Sequence, residues 1–253
     1  MSRLSVVIAA YDEEGNVEPL TRRLERALST LSGWQWEILY VVEGTDRTRE
    51  ILEGLAKEIP GLRILYQERP SGIGNAFRRG FAAVPPEADW VITLDADLNH
   101  QPEEIPRLLE SALGQGCDVL VGSRFLEGSA VHGTPLWKRF LSGTMNLLMR
   151  FLYGLRVKDK TSGFRVYRAE VLRRIGFTSD AFAFLPEILI RAHRAGFRIA
   201  EEPIHFIYRQ KGQSKMGIWP TTVSYLKLLG LTSPGERKAP SDPPGSAART
   251  RRR

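Results

Sequence analysis

Residues Trp90 to Asn99 read WVITLDADLN: an apolar run broken by two aspartates one residue apart. Valine, isoleucine and leucine in so short a run predict a buried strand. Carboxylates at the C-terminal end of such a strand stand where an open parallel sheet receives its ligands. In an extended chain Asp95 and Asp97 project to one side, because side chains alternate. One hard divalent cation is then expected to bridge them to a diphosphate. A plain strand followed by an acidic turn has the same sequence, so the rest of the chain has to decide.

Working outward, the same pattern recurs. Residues 4–9 (LSVVIA) read as a first buried strand, followed by the polar loop Tyr11-Asp12-Glu13-Glu14-Gly15-Asn16 and leucines 20, 24, 28 and 31 at helical spacing. Residues 37–42 (EILYVV) form a second strand that ends in Glu43-Gly44-Thr45-Asp46, and 62–66 a third. The fourth strand is expected to run to Asp95, and 118–122 reads as another. Strands alternating with amphipathic helices predict an α/β fold, a mostly parallel sheet with helices on both faces. Three acidic loops, Asp12/Glu13, Glu43/Asp46 and Asp95/Asp97, then fall at one sheet edge, as a nucleotide and its metal require. The pair Gly72-x-Gly74 follows the third strand and has Phe77 where a dinucleotide fingerprint needs glycine, so it reads as a tight turn before a helix.

Composition sets limits. A chain of 253 residues, 42% hydrophobic, builds one sizeable core. The net charge of +7 is uneven: residues 236–253 hold six Arg/Lys against two acids. The excess favours anionic partners without choosing among them. The single Cys117 excludes an internal disulfide and a cysteine metal cluster. A strand pattern that starts almost at once leaves no visible secretory leader, and no apolar run approaches the roughly 18 residues of a transmembrane helix. His100, His132, His193 and His205 lack ligand spacing and read as structural or surface residues, and no GxSxG nucleophile motif occurs. The basic residues form no continuous recognition helix, so nucleic acid is not expected as a partner.

In the second half, Arg124 at the end of GSRF either grips a phosphate or pairs with a loop carboxylate. Residues 135–154 carry a broad apolar surface of Leu136, Trp137, Phe140, Leu141, Met145, Leu148, Phe151 and Leu152. Arg139, Ser142, Asn146 and Arg150 share another face. The helix packs on a core or lies at an anionic interface. Residues 199–207 read as a strand leading into Arg209 and Lys215, two cations on a glycine-bearing loop that could close over a diphosphate. Residues 218–231 read as a second apolar helix, and from Ser233 the composition reads as disordered.

The ordered series DADLNHQPEE (95–104), GSRF (122–125), DKTSGFRVYR (159–168), FLPEIL (184–189) and IHFIYRQKGQSK (204–215) resembles the family 2 glycosyltransferases, and within them the dolichyl/polyprenyl-phosphate mannose synthases of the soluble type, over residues 2–218. The resemblance implies a GT-A fold and an inverting transfer of mannose from GDP-mannose to a dolichyl or polyprenyl monophosphate, with Mg²⁺ or Mn²⁺. It implies residues 1–232 as a single catalytic domain, with 1–125 as the nucleotide-sugar half and 126–232 as the acceptor half, followed by a basic tail. It places Tyr11, Glu13 and Glu43 around the nucleoside. Asp95, Ala96 and Asp97 would meet ribose, metal and diphosphate, and Asn99 stands where the family often has a glutamine near the metal. Arg124, Arg209 and Lys215 would hold donor or acceptor phosphate, while Arg139 and Ser142 would lie in an interfacial helix near the lipid phosphate. A cytoplasmic chain, held peripherally on an anionic membrane or by a small membrane-anchoring subunit, fits this picture.

Two loops depart from the family pattern. The first, Ala9-Ala10-Tyr11-Asp12-Glu13, lacks the usual proline, and the second, Val42-Glu43-Gly44-Thr45-Asp46-Arg47-Thr48, loses the first aspartate of the family pattern, has glutamate for the second and is one residue short. The second loop bears on the base, so UDP-glucose, the donor of a polyprenyl-phosphate glucosyltransferase, stays open beside GDP-mannose. A soluble transferase with a non-lipid acceptor and a non-catalytic membrane-associated scaffold also stay open. Chemically, an acceptor phosphate is already ionised and needs no strong general base, only cations that bring two anions together. Carboxylates one residue apart are too close for the opposed roles of a glycosidase pair.

Overall fold

The computed structural model describes residues 1–134 and 136–208 together with Tyr225 and Leu228; of residues 136–141 it describes the backbone alone. The basic loop with Arg209 and Lys215, most of the apolar segment 218–231 and the tail from Ser233 lie outside the described residues.

Strand β1 (Ser2–Tyr11) sits at the heart of the sheet, and its apolar residues are buried on both faces, as a central parallel strand requires. It pairs in parallel with β2 (Trp34–Glu43), which pairs with β3 (Leu62–Gln67), and on its other side with β4 (Trp90–Thr93). The chain winds outward from β1 to β3 and then returns to the far side of β1. That reversal between β1 and β4 is the switch point at which open α/β sheets bind ligands.

Beyond β4 the sheet is not parallel throughout. Its order is β3-β2-β1-β4-β7-β5-β8, with β5 (Val119–Ser123), β7 (Arg165–Arg168) and β8 (Ile199–Pro203). Strand β7 runs antiparallel to both β4 and β5. It is four residues long with arginine at each end, too short and too charged to show a strand pattern. The predicted strand 199–207 is two strands: β8 ends at Pro203, and β9 (His205–Ile207) pairs instead with β6 (Ala130–His132) in a separate two-stranded sheet. Proline has no N–H to extend a ladder, which suits a strand end.

Helices cover both faces. On one, α1 (Val17–Ser29), α2 (Thr48–Leu55) and α4 (Ile105–Gln115) bury leucines 20, 24, 28, 52, 55, 108 and 109. On the other, α3 (Ile73–Ala82), α5 (Leu136–Tyr153), α6 (Ala169–Arg174) and α7 (Phe184–Arg194) contribute Phe77, Met149, Val171, Phe184 and Ile188 to a second cluster. Phe77 and Phe184 stack at 5.0 Å between α3 and α7. The glycines before and in α3 are explained by packing. A Cβ on Gly74 would lie 2.0 Å from the Ser179 carbonyl oxygen, and one on Gly72, at φ +94°, 2.5 Å from that of Asp180. Only a bare backbone approaches this closely. Loop 178–179 is fixed by buried Glu187, whose carboxylate accepts N–H bonds from Thr178 (2.9 Å) and Ser179 (3.0 Å).

Candidate active site

Strand β4 stops at Thr93, two residues before Asp95, so the predicted extended pair is in fact carried on a turn. Leu98 takes the left-handed conformation (φ +62°), and the Asn99 backbone N–H donates back to Asp97 Oδ1 at 3.2 Å. An aspartate that captures the N–H two residues on makes a compact Asx turn. The Asn99 side chain, buried, donates its amide to Asp97 Oδ2 at 2.7 Å. Asn99 therefore braces Asp97, a role that its place in the sequence does not indicate.

Asp95 is held from beneath. The Thr93 hydroxyl donates to the Gly163 carbonyl at 2.7 Å, and a Cβ at Gly163 would lie 2.8 Å from Asp95 Oδ1. The glycine of the TSG stretch thus makes room for the carboxylate that follows β4. His100, which lacks any ligand spacing in the sequence, is fully buried beside it. Its Nδ1 accepts the Asp95 backbone N–H at 3.4 Å and lies 3.6 Å from Asp95 Oδ2. Burial pushes its pKa down to about 4, with Asp97 opposing, so the ring is neutral at ordinary pH. It packs between Phe164 and Phe206, 5.3 Å from each ring.

At the ends of β1 and β2 the acidic loops interlock. Tyr11 pairs with Glu43 in the ladder. Asp12, at φ +48°, accepts the N–H groups of Thr45 (3.0 Å) and Asp46 (3.3 Å) on one oxygen. Asp46 in turn accepts those of Glu14 and Thr48. Gly44, at φ +105°, leaves the space that Asp12 fills. Glu13 receives the Asn16 amide on its carboxylate, while its N–H reaches the Thr48 hydroxyl at 2.7 Å. Glu43 is buried, accepts the N–H and hydroxyl of Ser71 at 3.0 and 2.5 Å, and lies 3.7 Å from Arg79. It secures the loop ahead of α3. Tyr11, by contrast, is an exposed aromatic at the rim.

Arg124 follows β5. Its Nε and Nη2 donate to the two oxygens of Asp159 at 2.7 and 2.8 Å, and Nη2 also reaches the Thr161 hydroxyl at 2.8 Å. Its guanidinium lies over the Phe206 ring at 5.2 Å. Asp95 adds to the field that keeps it charged. Ser142 of α5 lies 3.2 Å from the Thr161 hydroxyl, so it joins this network. Ala96 is buried within the turn. The Arg139 side chain, Arg209 and Lys215 lie outside what the structure describes.

Two fully buried cations shape the segment between. Arg165 donates to the carbonyl oxygens of Ser162, Leu185 and Lys160 and to the Tyr167 hydroxyl. Lys160 donates to the carbonyls of Asn146 (3.0 Å) and Val157, and its N–H is received by Asn146 Oδ1 at 2.9 Å. Burial lowers the Lys160 pKa. Sequence reasoning missed Asp159, Thr161, Gly163 and Lys160 as individual residues, although all four lie in the DKTSGFRVYR stretch.

The donor set fits a hard divalent cation of the magnesium type. Asp95 and Asp97 offer oxygen only, and such ions take one or two carboxylates together with substrate phosphates rather than an all-protein cage. Among the described residues no group of three or more His, Cys, Asp or Glu side chains is placed to hold a metal.

The family model "Glycosyl transferase family 2" matches residues 5–176, more than half of the chain. The chain belongs to glycosyl transferase family 2. It is a glycosyltransferase. A polyprenol monophosphomannose synthase of Mycolicibacterium smegmatis is 35% identical over 228 residues, 85% of this chain and 81% of that one. An undecaprenyl-phosphate mannosyltransferase of Micrococcus luteus is 32% identical over 238 residues, 91% and 95% of the two chains. A dolichol-phosphate mannosyltransferase of Pyrococcus furiosus is 33% identical over 217 residues, 85% of this chain but 59% of that longer one. Among solved structures, glucosyl-3-phosphoglycerate synthase of Mycobacterium tuberculosis, in a complex with Mn²⁺, UDP-glucose and phosphoglyceric acid, superposes with a TM-score of 0.67 at 23% identity, over 90% of this chain and 80% of that one. At that identity the likeness speaks for the fold, which is GT-A.

Proposed function

We propose that this glycosyltransferase moves a hexose, mannose from GDP-mannose in the favoured reading, onto a dolichyl or polyprenyl monophosphate at a membrane surface. The observation that carries the lipid acceptor is the two-sided character of α5. Its inner face, Ser142, Asn146 and Met149, meets Thr161, Lys160 and the second apolar cluster. Its outer face exposes Leu147 (54%), Leu148 (37%), Phe151 (79%) and Leu152 (53%) in one stripe, with exposed Arg150, Arg156 and Lys158 nearby. Of the apolar surface expected from the sequence, Met145 turns partly inward, whereas Leu148, Phe151 and Leu152 face outward. No helix among the described residues is long and apolar enough to cross a membrane, and a peripheral seat on anionic lipid suits such a stripe. Each nearby Lys or Arg adds about 1 kcal/mol of attraction to an anionic surface.

A divalent cation on Asp95 and Asp97 would offset the charge that builds on the departing nucleoside diphosphate. The rest falls to the chain itself. Tyr11 and the interlocked loops of Asp12, Glu13 and Asp46 would form the wall against the nucleoside. Asn99 fixes the rotamer of Asp97, and Gly163 with His100 fixes Asp95. Arg124 would draw in the acceptor phosphate, which needs no base. Arg209 and Lys215 are proposed to close over the phosphates. Residues 1–232 are proposed to act as one catalytic domain. The insertion of β7 between β4 and β5 supports this, because the acceptor half supplies a strand to the donor half's sheet.

A donor panel tests the reading. GDP-mannose and UDP-glucose are offered with polyprenyl phosphate in anionic vesicles and Mn²⁺ or Mg²⁺. Lipid-linked mannose is the expected product. Lipid-linked glucose would move the donor assignment to UDP-glucose, and absence of any lipid-linked sugar would remove the acceptor reading. In parallel, a Leu147→Ser, Phe151→Ser variant should stay folded and lose flotation with vesicles. Undiminished flotation would shift attachment to other segments or to a membrane-anchoring subunit.

A further inference from the structure

Asp159 is a fully buried carboxylate, and nothing so far gives it a part in the reaction. A lone carboxylate so placed would take up a proton. Burial alone would raise the Asp159 pKa, yet Arg124 outweighs it and holds the group below the usual carboxylate range. Five donors converge on its two oxygens. They are the Arg124 backbone N–H (3.1 Å), Nε (2.7 Å) and Nη2 (2.8 Å), and the Thr161 N–H (3.2 Å) and hydroxyl (3.1 Å). Asp159 is itself pinned, its N–H donating to Glu201 Oε1 on β8 at 2.9 Å.

The consequence for Arg124 is geometric. A two-point fork onto a carboxylate fixes the guanidinium plane, which a single contact does not. Nε and one Nη2 proton are held by Asp159, and Thr161 takes Nη2 from a second direction. None of these bonds uses Nη1. The Arg124 side chain keeps 19% of its surface exposed, and the fork fixes which way that remaining edge faces. Thr161 links that orientation to Ser142 on α5.

We propose that Asp159, with Thr161, is a positioning residue for transfer: it locks the Arg124 guanidinium so that Nη1 meets the acceptor phosphate during attack. This rests on the reading of a phosphate acceptor given above. Asp159 acts through Arg124 and touches neither donor nor metal.

The test compares Arg124→Ala, Asp159→Asn, their double variant and Thr161→Val. The readouts are kcat and KM for polyprenyl phosphate, calorimetric affinity for GDP with Mn²⁺, and Tm. Arg124→Ala and Asp159→Asn should each lower kcat/KM for the acceptor by roughly 10- to 100-fold, with nucleotide affinity unchanged. In the double variant the Asp159 change should add less than about 2-fold, because its route to the reaction is already gone. Thr161→Val, which strands no charge, should cost about 3-fold in the same parameter without a fall in Tm. Multiplicative losses in the double variant, or an equal loss of nucleotide affinity in Asp159→Asn, would overturn the proposal as a mere fold effect. If Asp159→Asn does not fold, Thr161→Val decides alone, and wild-type acceptor kinetics in it refute the positioning role. If Arg124→Ala leaves acceptor kinetics intact, the acceptor assignment of Arg124 falls and this proposal with it. Loss in Arg124→Ala beside wild-type behaviour in the other two overturns the proposal only.

Discussion

The proposed donor end and the proposed acceptor end of this molecule are ordered by opposite means. At the ends of β1, β2 and β4, carboxylates gather backbone N–H groups. Asp12 takes Thr45 and Asp46, Asp46 takes Glu14 and Thr48, Glu43 takes Ser71, and Asp97 takes Asn99. Around residues 159–165, cations gather carbonyl oxygens. Lys160 takes Asn146 and Val157, and Arg165 takes Ser162, Leu185 and Lys160. Asp12, Asp46 and Asp97 are part-exposed at the strand ends, with Glu43 the buried member, while Arg165, Lys160 and Asp159 are all buried. Removing one exposed acceptor lets water replace it. Removing one buried charge leaves its partners stranded, which is strongly destabilising. The donor end should therefore respond to mutation mainly in function, and the acceptor end in stability as well.

The largest effect that sharpens this contrast is expected from Asp97→Ala. Its bonds to Asn99 order a local turn, so Tm should change by a degree or two. Transfer should fall by roughly 10³-fold, the scale of losing one preorganised electrostatic group at developing charge. Metal-dependent nucleotide binding, followed by calorimetry, should vanish with it. Unaltered metal dependence would contradict the placement of the cation.

Arg165→Met should behave the other way. Three carbonyls and the Tyr167 hydroxyl lose their donor in the interior. At about 1 kcal/mol for each of these four stranded acceptors, urea unfolding should show a loss of roughly 4 kcal/mol. A loss as small as that of an exposed residue would break the comparison. Gly163→Ala tests the seam between the two ends. Its new Cβ would press on Asp95 from the acceptor side. The expected outcome is about a 10-fold weaker metal-dependent nucleotide affinity with a modest fall in Tm, since the carboxylate swings away more easily than the strand moves. If stability collapses and affinity holds, the segment 160–163 is scaffold only.

The same contrast governs what could be read from sequence. The acidic strand ends were legible because each lies in a local pattern, an apolar run that stops at carboxylates. The helices α1 and α4 were legible from leucines at a spacing of three and four. Strand β7 was not, because its burial comes from β4 and β5, more than 40 residues earlier in the chain, and its arginine ends mimic a loop. The Asp159–Arg124 fork was equally hidden, since the two residues are 35 apart and DKTSGF shows nothing of it. The turn at Ala96–Leu98 defeated the expectation of an extended pair, although Asp97 and Asn99 two residues apart are the ingredients of an Asx turn. His100, expected as a structural or surface residue, is structural: it lies buried and neutral beside Asp95, a place that no spacing rule displays.

The smallest effect concerns acid. Arg124 holds the Asp159 carboxyl below the ordinary range in the folded protein, so the unfolded chain takes up its proton at a higher pH than the native one does. The pair's stabilisation is then complete above about pH 4, the ordinary aspartate range, and is lost as pH falls through the native value. Asp159→Asn removes that titration. The variant should be less stable than the parent at pH 7, where the guanidinium lacks its partner, and the gap should narrow as pH drops below about 4. Urea midpoints measured from pH 7 to pH 3 follow the gap directly. Acid limbs that stay parallel would show that the carboxylate gains nothing from Arg124. The acceptor end would then be ordered by carbonyl contacts alone, and the opposition between a lattice of acids and a buried network of charges would lose the ion pair at its centre.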